Sequence, residues 1–466
     1  MKKTNIVIFV IFLLFALLIG SNHEPWADEA QSWIIARDAS YSEIVWNIAR
    51  YEGSFPLWHL TLKTFIILGL KYEYLFIVPI IISAIGLIVF LKKVEAPKYV
   101  KILLPFTYYV FYQYTIIARS YCYLLLAFSL LIITYKKRME KPFRYILSLI
   151  FISLISMHGM IIACMLAIMF LIEVLKQKKI KETLKEFIIF GFVVIVEAIV
   201  LFPPSDIYMT VSAAYTIPQI LKSIIDMIIG NGNIFFKIYN IVAVCLLLIV
   251  FSRTLTIKNK DVIVTILVLF FFMFVIRFAA HHSGILFLLM MFGIISYYDE
   301  IKEKTKHFDK IFIVVLLMYS IFSVQSGIND YLYEYSGAKE MASYIKEMKY
   351  DEKKIVGFGF KDVALQPYFE KNLYTNMNEA IYMWSSKNKD FYIYCNIEEY
   401  DKSEFTDIPE YIVLEWDETD SRIKLIEQYI NESNKYEIEY RTMGYEFFKN
   451  SYSEHEGYTL YKLKEY

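Results

Sequence analysis

Apolar runs separated by short polar breaks make up the first two-thirds of the chain, after which the pattern changes. The opening MKKTNIVIFVIFLLFALLIG is followed by apolar runs at about 56–70, 74–91, 101–117, 120–135, 144–157, 159–175, 186–202, 234–252, 262–280, 284–298 and 311–328. About 20 helical residues cross the hydrocarbon of a bilayer, and several of these runs are shorter. Beyond Asn329 the runs become short and β-rich: KKIVGFGF (353–360), DFYIYCN (390–396), EYIVLEW (410–416), YEIEY (436–440) and YTLYKLK (458–464). Helical patterns at 337–349 and 420–431 alternate with them. The expected fold is a polytopic α-helical membrane protein over 1–328 with a small α/β domain over 329–466. GFG at 357–359 lacks the rest of a dinucleotide fingerprint and reads as a strand end.

Lysine and arginine suggest an orientation. The start is basic and no small-residue cleavage site follows, so the first run reads as an uncleaved span. Lys2-Lys3, Lys92-Lys93 with Lys98, Lys136-Lys137-Arg138, Lys176 to Lys185, Arg253 with Lys258 and Lys260, and Lys302 to Lys310 should stay cytoplasmic. If every run crossed, Lys92-Lys93 would lie outside. Treating 56–70 as a juxtamembrane or re-entrant helix keeps every cluster inside, giving eleven spans, a cytoplasmic N-terminus and an extracytoplasmic tail. The same rule splits 144–175 into a hairpin turning at His158-Gly159. Long loops at about 21–73 and 203–233 then face outward.

Composition narrows the class. Of 466 residues, 57% are hydrophobic, 18% aromatic and 21% charged, which excludes disordered, collagen-like and ordinary soluble proteins. Net charge is zero, but from Asn329 onward 28 acidic residues face 17 basic ones, a net of −11, leaving +11 before it. The basic residues lie in clusters between apolar runs, which suits a membrane face and gives no nucleic-acid role. Cys122, Cys164, Cys245 and Cys395 have neither disulfide-framework nor zinc spacing.

With that orientation, the unusual ionisable residues gather outside: His23, Glu24, Asp28, Glu29, Glu52 and His59 in the first loop, then Arg119, His158, Arg277, His281 and His282. Charges beside hydrocarbon are costly and usually line a polar cavity or pair. In HEPWADEAQSWIIARD (23–38), Asp28 and Glu29 point about 100° apart on a helix. One is a candidate general base, with the other pairing locally or binding a metal; the bland alternative is an acidic first turn that suits the macrodipole. In YEGSFPLWHL (51–60), Trp58 reads as an interfacial anchor, while Glu52 and His59 are candidate site members. Arg119 and Arg277 are candidate phosphate ligands, because guanidinium binds phosphate bidentately, with snorkelling as the alternative. His281 and His282, being adjacent, suit hydrogen bonding or phosphate contact better than chelation of one ion. His158, at a hairpin turn, is either structural or a site member, and Glu197 within a span is neutral or paired.

An Asp-Glu pair after the first span followed by an EG-x-x-P-L-W-H-like segment resembles the first outer loop of C-type (GT-C) membrane glycosyltransferases. More closely, it is similar to the protein-O-mannosyltransferase and lipid A aminoarabinose transferase branch. ARSYCYLLL resembles that branch's Arg-x-Tyr span, and the R-x-x-x-HHSG hairpin is similar to bacterial membrane proteins of the same kind. The resemblance covers about residues 1–300 in layout and is motif-like only in the first loop, where the usual Pro-Pro is Phe55-Pro56. It implies that Asp28 matches the catalytic acidic residue, that donors are polyprenyl-phosphate-linked sugars, and that transfer occurs with inversion on the non-cytoplasmic side.

The expected function is therefore sugar transfer from a polyprenyl-phosphate donor to an acceptor hydroxyl at the outer face of the cell membrane. Asp28 is the base, Glu29 and Glu52 are supporting acids, and Arg119 and Arg277 hold phosphate. The acceptor is a glycan, lipid or protein. No cofactor is demanded, no metal ligand set is named, and a divalent metal stays compatible with the acids. A transporter or flippase of lipid-linked glycans is the rival; it calls for polar residues across the whole membrane and for paired broken helices. A receptor-like tail on a passive anchor is the third reading, for which so many spans are excessive.

Overall fold

The computed structural model describes residues 3–204, 225, 229, 233–257, 260–275, 280–359, 361–376, 408–416, 421–449 and 451–464. It is 73% helical, with a small sheet in the C-terminal region. The helices used below are α1 (Lys3–Gly20), α2 (Ala27–Asp38), α3 (Leu57–Ile67), α4 (Ile77–Lys93), α5 (Leu124–Tyr135), α6 (Pro142–Ser153), α7 (Met157–Lys176), α8 (Ile180–Val200), α9 (Ile234–Ser252), α10 (Lys260–Val275), α11 (Ser283–Ser296), α12 (Phe308–Leu332), α13 (Ala338–Glu347) and α14 (Ser421–Ser433).

Among the described residues, five helical stretches are long and apolar enough to cross a membrane: Lys3–Gly20, Tyr72–Lys93, Met157–Lys176, Ile234–Leu255 and Phe308–Leu332. A sixth candidate is α11 with the following Tyr298–Lys304, bent by 73°. Helices α3 and α6 are apolar but shorter. In α8, Ile188, Phe192, Ile195 and Ile199 recur at helical spacing and are each 60–66% exposed. An apolar stripe left open in this way suits contact with lipid rather than water.

Two local breaks shape the interior. The expected hairpin turn falls at Leu154–Ser156, slightly before His158, because Ser156 caps α7 by accepting the Gly159 N–H at 3.1 Å. His158 therefore sits in the first turn of α7. Between Tyr109 and Ile116 the helix widens to π geometry, and the chain then leaves helical conformation until Ser120. That gap turns Ala118 and Arg119 toward the first loop.

The tail carries a four-stranded sheet in the order β1-β2-β6-β3, where β1 is Ile355–Phe358, β2 Tyr411–Trp416, β3 Tyr436–Thr442 and β6 Gly457–Leu463. Strands β1 and β2 are parallel; β6 runs antiparallel to both β2 and β3. The sequence expectations at 353–360, 410–416, 436–440 and 458–464, and both expected helices, correspond to these elements; 390–396 lies outside the described residues. A two-stranded ribbon, β4 (Tyr445–Phe448) with β5 (Ser451–His455), is additional.

Alternation along the strands assigns the two faces. Val356, Phe358, Ile412 and Leu414 bury against Ile423, Ile426 and Ile430 of α14. Ile355, Val413 and Leu460 bury against Ala338, Met341 and Ile345 of α13, and against Ala27, Ala30 and Ile34 of α2. The first-loop helix thus belongs to the tail's hydrophobic core, and the expected division at 328/329 falls inside α12. The ribbon reaches the bundle as well: Phe448 lies edge-on to Tyr108 at 5.7 Å, and Ser326 donates to the Lys449 carbonyl.

Candidate functional site at the loop end of the bundle

Polar contacts divide the bundle into two ends. At one, Asn5 donates to the Leu91 carbonyl at 2.9 Å, Tyr99 to Asp309 at 2.9 Å, Tyr135 to Asp261 at 2.9 Å, and Arg138 to Glu173 at 2.8 Å. These contacts draw the lysine- and arginine-bearing turns together. The opposite end receives the first loop and the tail.

At that second end, α2 begins after Pro25 with Asp28 and Glu29 in its first turn, where the macrodipole favours acids. Asp28 pairs with the Arg119 guanidinium, both side chains remaining partly exposed. Burial opposes charge on Arg119, yet Asp28, then Tyr121, Glu52 and Glu29, raise its pKa further. Glu52, at the end of a short helix closed by Gly53 with φ 62°, is thereby among the groups acting on the guanidinium.

Glu29 points elsewhere and is 1% exposed. Its carboxylate accepts from Ala118 N–H at 2.5 Å, Trp26 N–H at 3.2 Å and His23 Nε2 at 3.0 Å. The bond to Trp26 is half of a capping box, and the bond to Ala118 fixes the backbone next to Arg119. The other His23 nitrogen, Nδ1, contacts Asp330 at 2.9 and 3.1 Å. Among the described residues, then, Glu29 ties elements together rather than facing the Asp28–Arg119 pair.

His59 is buried in the first turn of α3 near Arg119. Burial, with Arg119 second, lowers its pKa to about 4. Its Nε2 has no hydrogen-bond partner among the described residues. Arg119 lies over the Tyr121 ring, its guanidinium carbon 5.7 Å from the centroid. Tyr121 in turn packs on His281 and His282 at 5.5 and 6.0 Å, and His282 packs on His158 at 4.3 Å. His158 is 5% exposed, and its Nε2 also lacks a partner among the described residues. Tyr114 donates to the His281 carbonyl at 2.8 Å, and Tyr109 and Ser283 share a hydrogen bond of 2.7 Å, so the HHSG turn is anchored to the π-helical tyrosines.

Of the residues singled out from sequence, Asp28, Arg119, His158, His281 and His282 are linked by these contacts, and Glu52 and His59 are close enough to Arg119 for charge to act between them; Arg277 lies outside the described residues. Glu197 is separate, accepting from Ser153 at 2.7 Å. No group of three or more His, Cys, Asp or Glu side chains suited to a metal ion occurs among the described residues. The unpartnered Nε2 of His59 thus lies near Arg119, and that of His158 beside His282. Asp330 and Glu456 are not expected as contributors from the sequence, and Tyr121 enters only as part of the Arg-x-Tyr resemblance. Asp330 stands at the end of the last apolar run, and no spacing links it to His23.

Behind Glu29, a cavity of about 50 Å³ is lined by His23, Glu24, Tyr72, Glu73, Lys339 and Tyr368 among others, room for ordered water. Burial lifts the Glu24 carboxyl to about 7, against the pull of Lys339. Comparison of this chain with protein-family models, curated proteins and solved structures finds no match.

Proposed function

We propose that the protein is an integral-membrane glycosyltransferase of the GT-C kind, moving a sugar from a polyprenyl-phosphate donor to an acceptor hydroxyl. The observation that carries this reading is the pairing of Asp28 with Arg119 at the end of the bundle where His59, His158, His281 and His282 also gather. An acid and a cation in contact, with imidazoles gathered at the same end, suit a reaction needing both a base and a phosphate ligand.

In this reading the donor phosphate takes Arg119 away from Asp28. The freed carboxylate withdraws the proton of the acceptor hydroxyl as its oxygen bonds to the anomeric carbon from the opposite side. The bond from that carbon to the phosphate oxygen breaks, and polyprenyl phosphate leaves with its charge met by Arg119. General-base assistance of this type contributes about 10²–10⁴-fold, and the cation supplies electrostatic stabilisation where charge develops. Glu52 supports the charge of Arg119, and His281 and His282 extend the phosphate-binding face. A site at the end of an apolar helical bundle suits a donor whose tail stays in lipid.

The proposed orientation puts the Arg119 end outside the cell membrane, with eleven helical passages. Support comes from the chain's course: α1, α4, the segment 98–116, α5, α6, α7, α8, α9, α10, α11 and α12 alternate between the two ends. The basic turns fall at one end, as the positive-inside rule requires, with α3 not counted as a passage.

The test is turnover of a polyprenyl-phosphate sugar by the purified protein with acceptor, wild type against Asp28→Asn. Loss of transfer in a folded variant supports the assignment, and unchanged turnover refutes it. Movement of the lipid-linked sugar between leaflets without transfer would favour the transporter reading. Cysteine labelling that put the first loop on the cytoplasmic side would overturn the orientation.

A further inference from the structure

His23 stands between two carboxylates belonging to different parts of the chain. Its Nε2 meets Glu29 of α2 at 3.0 Å and its Nδ1 meets Asp330 of α12 at 2.9 Å. All three side chains are removed from solvent, the imidazole being 2% and each carboxylate 0% exposed. A neutral imidazole has one N–H and therefore serves one carboxylate; only the imidazolium donates to both. Tyr335 packs edge-on to the ring at 4.7 Å, and Glu24, held by Lys339 at 3.6 Å, lies beside it with Glu334 beyond. Among the described residues the ring touches two acids and no cation, so the surroundings also favour the charged form.

Each partner leads to another element. Through Glu29 the imidazolium is joined to Ala118, the neighbour of Arg119, and to the start of α2, which carries Asp28. Through Asp330 it is joined to the outer end of α12, which leads directly into the tail, and Asn22 donates to the Asp330 carbonyl at 3.1 Å. We infer that doubly protonated His23 is a positioning residue, a charged lock that fixes the acid-bearing helix α2 to the last span and holds Asp28 opposite Arg119. The inference rests on the proposed function only in regarding that pair as the reactive one; the lock itself is a statement about α2.

A lock made of an imidazolium opens with base. Burial works against the charge, and Asp330 and Glu29 outweigh it, holding the imidazole well above its ordinary pKa of 6.5. Stability from a group raised in this way is fully present below its unfolded pKa and is lost as pH rises through the folded one. Opening would loosen α2 and separate Asp28 from Arg119.

The experiment is hydrogen–deuterium exchange of the full chain in nanodiscs, read on peptides covering 27–38 over a pH series corrected for intrinsic exchange. In the wild type, protection of 27–38 should fall at least tenfold on going into the alkaline range. In Asp330→Asn, with one anion removed, the fall should move to lower pH, and in His23→Gln the pH dependence should vanish. Wild-type protection that is flat with pH, or a His23→Gln profile that matches wild type, would overturn the lock. The wild-type series decides even if a variant does not fold. A lock that opens as described in a protein that turns over no lipid-linked sugar would leave the lock standing and the transferase reading refuted. Asp28-dependent turnover with flat exchange would do the reverse.

Discussion

Glu456 accepts the backbone N–H of Ala27, 429 residues away in sequence, at 3.1 Å. The first amides of a helix have no partner within the helix, and α2 receives one from the tail rather than from its own flank. Ser336 donates to the other oxygen at 2.5 Å, and the backbones of Gly337 and Glu456 are bonded at 2.9 Å. The tail therefore finishes the helix that carries Asp28, which is why a carboxylate so far along the chain bears on the candidate site.

Stability should reflect that carboxylate. Burial raises Glu456 to about 7 against the pull of Lys361. A carboxyl raised above its unfolded value near 4.5 contributes stability that is fully present below that value and lost as pH rises through about 7. Melting temperature should accordingly fall between pH 5 and 8 in the wild type. Glu456→Gln, which keeps a carbonyl acceptor and cannot ionise, should flatten this part of the curve, by on the order of a few kcal/mol across the window. An unchanged slope in the variant would remove Glu456 as its source.

Gly284, the last residue of HHSG, is held where a side chain has no room. A Cβ would lie 2.6 Å from the Tyr109 ring and nearer still to the Tyr114 hydroxyl. Both tyrosines belong to the π-helical segment that supports the His281–His282 turn. Gly284→Ala should cost about 1–3 kcal/mol through overpacking, seen as a lowered melting temperature in detergent. Gly191 has nothing within 4 Å of a built Cβ, so Gly191→Ala is the control and should be neutral or slightly stabilising.

Much of this was legible in the sequence because the signals were local. Period-two alternation in EYIVLEW and YTLYKLK gives strands, and basic clusters between apolar runs give two ends. Asp28, Arg119 and the histidines stood out because ionisable groups beside hydrocarbon are costly. Long-range pairing was not legible. Nothing at 23–29 indicates that His23 faces Asp330 or that α2 is buried in the tail's core, since Ala27, Ala30 and Ile34 form an apolar face that would suit many partners. Glu29 and Asp28 are neighbours of the same chemistry, and only the helix phase separates the buried acid from the partly exposed one. The hairpin turn before His158 was displaced by a serine cap that hydropathy does not register.

Acid sensitivity should trace in part to His59. Its pKa is lowered to about 4 by burial and then by Arg119. A group depressed in the folded state gives stability that is present above its unfolded value near 6.5 and lost as pH falls through about 4. The shift corresponds to on the order of 3 kcal/mol. Chemical unfolding of the wild type should weaken over that interval, and His59→Gln should weaken less. Equal acid sensitivity in the two proteins would mean that other groups dominate.

The coupling of Asp28 to Arg119 separates a catalytic pair from two independent contacts. If Asp28 removes the acceptor proton and Arg119 holds the departing phosphate, Asp28→Asn should lower kcat by about 10²–10⁴-fold with little change in KM. Arg119→Gln should lower kcat and also raise KM for the lipid donor. Because the two act in one step, the double variant should be little worse than the poorer single one, as residues working as a unit are strongly non-additive. Arg119→Lys tests geometry: it keeps the charge but loses the planar fork, so it should recover donor binding better than turnover. Independent snorkelling or interfacial roles would instead give effects that add, because sites without a shared function combine additively. A full double-mutant cycle on one lipid-linked donor, with each variant checked for folding, measures the difference, and additive losses would dissolve the pair as a catalytic unit.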